Sequence, residues 1–156
     1  PTWSSTGLER ANAFQREVKA VGLDFDEKSI EYCEAWTVEA GQKGAKFLLN
    51  KNKNITAIFA ANDLLAMGLY DELAERKLKC PKDISVVGYN DIPFVDRITP
   101  ALTTIRIPKY EIGSEASRLI LSMLIEKSTN STRHIRLTPE LKVRHSTSGP
   151  RTLISV

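Results

Sequence analysis

Cysteine is scarce in this chain of 156 residues. Cys33 and Cys80 stand far apart with no companion His or Cys at ligand spacing, which excludes a zinc knuckle or a redox dithiol, and free thiols fit a reducing cytosol. Long apolar runs are absent too. None approaches the roughly 20 residues that span a bilayer, and the amino terminus lacks the basic-then-apolar pattern of a signal peptide. The expected location is therefore cytoplasmic, with no membrane partner. Charge of one sign is nowhere concentrated: the 22 basic and 19 acidic residues that give a formal net charge of +3 are interspersed, and the densest basic cluster is Lys51-Asn52-Lys53. DNA-binding domains gather their charge into a stripe, so this segment is not expected to touch DNA itself. Internal repeats and low-complexity stretches are missing as well.

Signatures of catalysis are equally thin. No glycine-rich phosphate loop or nucleophile elbow follows a strand pattern, and His134 and His145 have no metal-ligand spacing between them. Glu9, Asp63, Asp91 and Asp96 are not brought together by local sequence. The reading is of a non-enzyme with no catalytic residue, cofactor or metal.

What is present is α/β patterning at 42% apolar and 26% charged content, ordinary for one globular domain. Thr6 and Glu9 have the spacing of a capping box, and Leu8, Ala11, Phe14, Val18 and Val21 form one stripe, predicting a helix over 7–21 stopped by Gly22. Residues 29–35 alternate weakly, as a short strand does. Thr37 is the expected N-cap of a second helix carrying Val38, Ala45, Leu48 and Leu49, ended by the polar run 50–54. The near-continuous apolar run 55–61 has the character of a parallel strand buried on both faces. Asn62 or Asp63 then caps a third helix reaching about Arg76, and Pro81-Lys82-Asp83 turns into a second buried strand over 84–88. Beyond Pro100 the pattern predicts a strand over 102–107, a helix over 109–127 opened by Pro108, a polar turn over 128–133, and short strands over 134–137 and 141–145 split by Pro139. Strand, helix, strand, twice over, is an α/β fold: a doubly wound parallel sheet with flanking helices.

Both central strands release polar residues at their carboxyl ends, Asn62-Asp63 and Asn90-Asp91, and Trp36 follows the first predicted strand. Ligands bind outside the carboxyl ends of open parallel sheets. An aromatic face together with amides that donate and accept suits a neutral, hydroxyl-rich molecule such as a sugar. Plainer roles compete: Asn-Asp as a helix cap, with Asp63 the favoured cap, Trp36 as core filling and Arg10 as a surface charge.

"TAIFAANDLLAMGLYDELAERKLKCPKDISVVGYNDIP" followed by "TPALTTIRIPKYEIGSEASRLIL", with "PTWSSTGLERANAF" before and "LTPELKVRHST" after, resembles the sensor domain of the lactose/galactose repressor family of bacterial transcription regulators. The resemblance implies a periplasmic-binding-protein-like fold whose two lobes close on a small effector. Residues 1–103 would be the carboxyl-terminal lobe, 104–133 the crossover strand and helix of the amino-terminal lobe, and 134–156 the return and tail. Arg10 falls on the family's ligand-binding arginine, Trp36 on its stacking aromatic, Asn62 on the asparagine of "AND", and Asn90 on the first acidic position of "G-[YF]-D-D". The family usually has Asp at position 90 and often Gln at position 107, where Ile107 stands here, which leaves room for a less polar ligand than a hexose.

The implied partners are a small-molecule effector, a second copy in a homodimer, and operator DNA only through an amino-terminal helix-turn-helix outside this chain. The dimer would pair through the helix from Thr37, the helix from Asp63 and the loop 93–100. A periplasmic sugar-binding protein of a transport system is the alternative. The crossing helix would lack its sheet and expose Ile112, Ala116, Leu119, Ile120, Met123 and Leu124, a stripe expected to be covered by another copy or by further protein.

Overall fold

The computed structural model describes residues 1–23, 25–126 and 133–149. Helix α1 spans Ser5–Ala20, α2 Val38–Lys51, α3 Asp63–Glu75 and α4 Lys109–Glu126; strands are β1 Ala57–Phe59, β2 Ser85–Asn90, β3 Thr103–Arg106 and β4 Glu140–Lys142. They form one four-stranded sheet in the order β1-β2-β3-β4. The first three strands are parallel and β4 is antiparallel to β3, so the predicted parallel α/β sheet is present with an antiparallel edge.

Local chemistry sets the helix ends. Ser4, not Thr6, caps α1: its extended backbone lets the side chain accept from the Gly7 N–H at 3.3 Å, so the cap lies two residues before the predicted one. At the other end Gly22 takes φ +77°, and the Gly22 and Leu23 N–H groups reach back to the Lys19 and Val18 carbonyls, the paired bonds of a Schellman stop. Thr37 caps α2 as expected, accepting from the Ala40 N–H. Helices α2 and α3 touch backbone to backbone, because a Cβ at Gly68 would lie 1.9 Å from the Val38 carbonyl oxygen and one at Gly41 2.4 Å from that of Leu65.

The core lies between α3 and the sheet, with Leu65, Ala66, Leu69 and Leu73 against Val86 and Leu102. Helix α1 reaches β1 through Phe14, which stacks on Phe59 at 5.2 Å. After β4 the chain returns to the sheet. The buried Ser146 hydroxyl donates to the Val86 carbonyl at 2.6 Å and accepts from the Thr103 N–H at 2.7 Å.

Two predicted strands do not form. The strand expected over 29–35 is absent: Ser29 ends a 3-10 turn, Glu27–Ser29, and 30–35 are irregular, because a strand needs a hydrogen-bonding neighbour and a cavity of about 490 Å³ lies between this segment and β1. Residues 134–139 are irregular as well. The register pairs Arg106 with Glu140, so the next positions would oppose Ile107 to Pro139 and Pro108 to Thr138, and prolines have no N–H to give a ladder. The predicted polar turn over 128–133 lies outside the described residues except for Arg133. No residue of α4 is buried over its described side chains, and Ile120, Leu124 and Ile125 of the predicted apolar helix stand 59%, 70% and 80% exposed.

Candidate functional site

The carboxyl ends of β1 and β2 carry the residues singled out from sequence. Asn62 is the N-cap of α3, its Oδ1 accepting from the Leu64 N–H at 2.6 Å. That use occupies one acceptor and leaves the amide NH₂ to donate elsewhere. Asp63, the favoured cap in the sequence reading, does something else. Fully buried, its Oδ1 accepts from the Thr104 hydroxyl at 2.6 Å and its Oδ2 from the Ile92 N–H at 2.9 Å. Gly88 makes that reach possible, since a Cβ there would lie 2.3 Å from Asp63 Oδ1.

Arg10 projects from α1 to the same strand ends rather than to solvent. One guanidinium nitrogen donates to the Ala61 carbonyl at 2.6 Å, and the guanidinium lies 3.8 Å above the centre of the Tyr89 ring and 5.9 Å from that of Trp36. Burial lowers the Arg10 pKa against the raising effect of Tyr89 and Asp63. Trp36 is half-buried, packs on the core and closes on Gly7, where an added Cβ would meet the indole at 3.1 Å. Packing and site proximity therefore coexist at Trp36. Arg10 thus gathers Trp36, Tyr89 and the Ala61-Asn62 strand end in one place, with Asn90 next along the chain from Tyr89.

Asn90 ends β2 at φ 116° and Asp91 follows at φ 52°. Asp91 Oδ2 accepts from Arg106 Nε at 2.5 Å and its Oδ1 from Arg144 Nη2 at 2.7 Å. Burial acts to raise the Asp91 carboxyl, but the hydrogen bonds and charges of Arg144 and Arg106 outweigh it and hold the group below the usual carboxylate range. Asp91, Arg106 and Arg144 also border a hollow of about 350 Å³ with Asp96 and Lys109.

Sequence reasoning missed Tyr89. A clue was available: an aromatic at the last position but one of a strand that ends in Asn-Asp stands at the mouth of the crevice. The larger 490 Å³ cavity is apolar, lined by Phe14, Phe25, Phe59, Cys33 and Trp36, while Arg10, Asn62 and Asn90 do not line it. Burial there pushes the Cys33 thiol up, toward the protonated form. Glu31, Asn54 and Thr56 also border that cavity, and it meets the strand-end cluster at Trp36 and Ala61. Among the described residues, no group of three or more His, Cys, Asp and Glu could hold a metal ion, and no helix is long and apolar enough to cross a membrane.

The sequence pattern of the periplasmic binding protein-like domain matches residues 1–147. The chain belongs to that domain family. The domain is 35% identical over 157 aligned residues to the HTH-type transcriptional repressor PurR of Proteus mirabilis, covering 96% of this chain and 44% of that protein. In structure it is similar to the transcriptional regulator CelR in complex with cellobiose, with a TM-score of 0.83 and 28% identity over 90% of this chain and 42% of the other. It is also similar to a LacI-family regulatory protein from Chloroflexus aggregans, with a TM-score of 0.85 and 27% identity over 95% of this chain and 53% of the other. The periplasmic-binding-protein-like fold and the likeness to LacI-family sensor domains, expected from the sequence, are thus shown. The chain spans less than half the length of the curated relatives it matches.

Proposed function

We propose that the domain is the effector-sensing and dimerising segment of a bacterial transcriptional regulator. In this reading a sugar or related metabolite sits against Arg10, Trp36, Asn62 and Asn90, and operator DNA is bound by a helix-turn-helix elsewhere in the protein. One observation carries the reading: Arg10, from a helix remote in sequence, converges with Trp36 and Tyr89 beside the strand end that leads into Asn62. The guanidinium and the Asn62 and Asn90 amides supply donors and acceptors for hydroxyls, and Trp36 supplies a ring face. The regulators among its relatives favour this reading over a transport protein. An amide at Asn90 and the apolar Ile107, where the resembling family often has Gln, favour a ligand less polar than a hexose.

In this account residues 1–103 form the carboxyl-terminal lobe, whose sheet β3 completes by pairing with β2 and β4; the rest of 104–133 crosses to the other lobe through α4, and 134–156 return. The crossing explains why the apolar stripe of α4 stands exposed among the described residues. A homodimer would pair through α2, α3 and the loop 93–100, where Phe94 stands 65% exposed. The protein works in the cytoplasm, catalyses nothing and acts by population shift: an effector that prefers one lobe arrangement changes operator affinity by its differential affinity for the two states. In the full-length protein, Arg10→Ala and Asn62→Ala are expected to bind operator normally and to ignore effector. A response that survived both substitutions would overturn the assignment.

A further inference from the structure

Asn90 and Asp91 both have positive φ, 116° and 52°; Asp91 lies in the left-handed basin that Asp tolerates, whereas Asn90 lies beyond it, where residues bearing a Cβ are disfavoured. Such a conformation persists only where its surroundings impose it. The Asp91 side chain, 6% exposed, is clasped by Arg106 at 2.5 Å and Arg144 at 2.7 Å. Arg144 is itself anchored: its second nitrogen donates to the Leu102 carbonyl at 2.7 Å and its backbone N–H to the Thr103 hydroxyl at 2.9 Å. Arg106 stands opposite Asn90 in the β2–β3 ladder, so the arginine that holds the Asp91 carboxylate also flanks the Asn90 backbone. Among the described residues the Asn90 side-chain amide makes no hydrogen bond. A strained residue with a free amide thus sits next to a residue fixed on two sides.

We propose that Asp91 is the positioning residue of the candidate effector site: clasped between Arg106 and Arg144, it pins the left-handed turn and fixes where the free Asn90 amide stands. Arg106 lies on β3, which runs on to α4, and Arg144 lies just after β4. Asp91 therefore ties the placement of Asn90 to both segments that, in the functional reading above, cross between lobes. The inference rests on that reading for the meaning of Asn90 as a ligand contact, but the geometry is testable without an effector.

The test is a set of proton–nitrogen NMR spectra of the chain and its Asp91→Asn, Arg106→Gln and Arg144→Gln variants. Asp91→Asn is expected to move the Asn90 side-chain pair and the Tyr89 and Asn90 backbone amides while the Asn62 side-chain pair and the Arg10 Nε–H stay in place. Each arginine variant should give part of that displacement, and adding Asp91→Asn to either should add little. A lowered melting midpoint with unmoved Asn90 signals would mean a purely structural ion cluster and would overturn the proposal. So would equal movement of Asn62 and Arg10. Should Asp91→Asn fail to fold, Arg106→Gln, on a side chain 49% exposed, answers the same question. Failure of the full-length wild-type protein to bind any of cellobiose, ribose or a panel of purine bases would count against the effector reading and leave the NMR result standing.

Discussion

Asp63 offers the sharpest energetic test, because no solvent reaches it and both its oxygens are engaged. Asp63→Ala would leave the Ile92 N–H and the Thr104 hydroxyl without their partner. Hydrogen bonds to a charged group contribute about 1.5–3 kcal/mol each, so the loss should be about 3–6 kcal/mol, a large share of the roughly 5–15 kcal/mol that holds a domain together. Asp63→Asn keeps the shape: its amide oxygen can still accept from Ile92 while the Thr104 hydroxyl turns to accept from the NH₂. Charge-assisted bonds are about twice as strong as neutral ones, so Asn should cost about half as much as Ala. Gly88 supplies an independent check, because Gly88→Ala drives a Cβ to 2.3 Å from Asp63 Oδ1 and should disturb the same two bonds. Its effect and that of Asp63→Ala should then add to less than their sum. Urea unfolding followed by circular dichroism would read these as shifts in midpoint at constant slope. A cost for Asp63→Ala below about 1 kcal/mol, or full additivity with Gly88→Ala, would refute the reasoning.

Gly68→Ala should destabilise by about 1–3 kcal/mol despite its better helix propensity, since the added carbon would lie 1.9 Å from the Val38 carbonyl oxygen; a thermal melt that rose instead would show that the two helices can separate cheaply. Asp91, whose carboxyl is held low by its two arginines, contributes stability that is complete above its unfolded pKa of about 3.9 and is lost as pH falls through the lower folded value. Acid unfolding of Asp91→Asn should accordingly be flatter than that of the wild type, and identical pH profiles would contradict the ion cluster. Leu124→Lys, at a site 70% exposed on α4, should change the stability of this chain by less than about 0.5 kcal/mol in a thermal melt; a large loss of stability would mean that α4 is packed within the chain.

Periodicity located the four helices well because each carries an apolar stripe and three of them, α1, α2 and α3, a polar N-cap. Thr37 behaves at α2 as its sequence suggests, and Gly22 stops α1 through a local bond pattern. The errors share a cause in partners distant along the chain. Residues 29–35 have strand character, but a strand exists only with a neighbour, and a cavity lies between this segment and β1. The Asn62-Asp63 pair read as a cap either way; that Asn62 caps while Asp63 reaches Thr104 depends on Gly88 leaving room. Arg10 could be placed from a family resemblance but not from its helix, where it reads as a surface charge. The Asp91 clasp joins residues 53 positions apart, a pairing that no local pattern announces.

The most direct measurement is a thermal-shift screen of the full-length protein against monosaccharides, disaccharides, sugar phosphates, nucleosides and purine bases, repeated on Arg10→Ala and Asn62→Ala. Ligand at a hundred times its dissociation constant adds about 2.7 kcal/mol, enough to raise the midpoint measurably. The account predicts that at least one compound raises the wild-type midpoint and loses that effect in both variants. A shift that persists in both variants, or no shift from any compound, would contradict it.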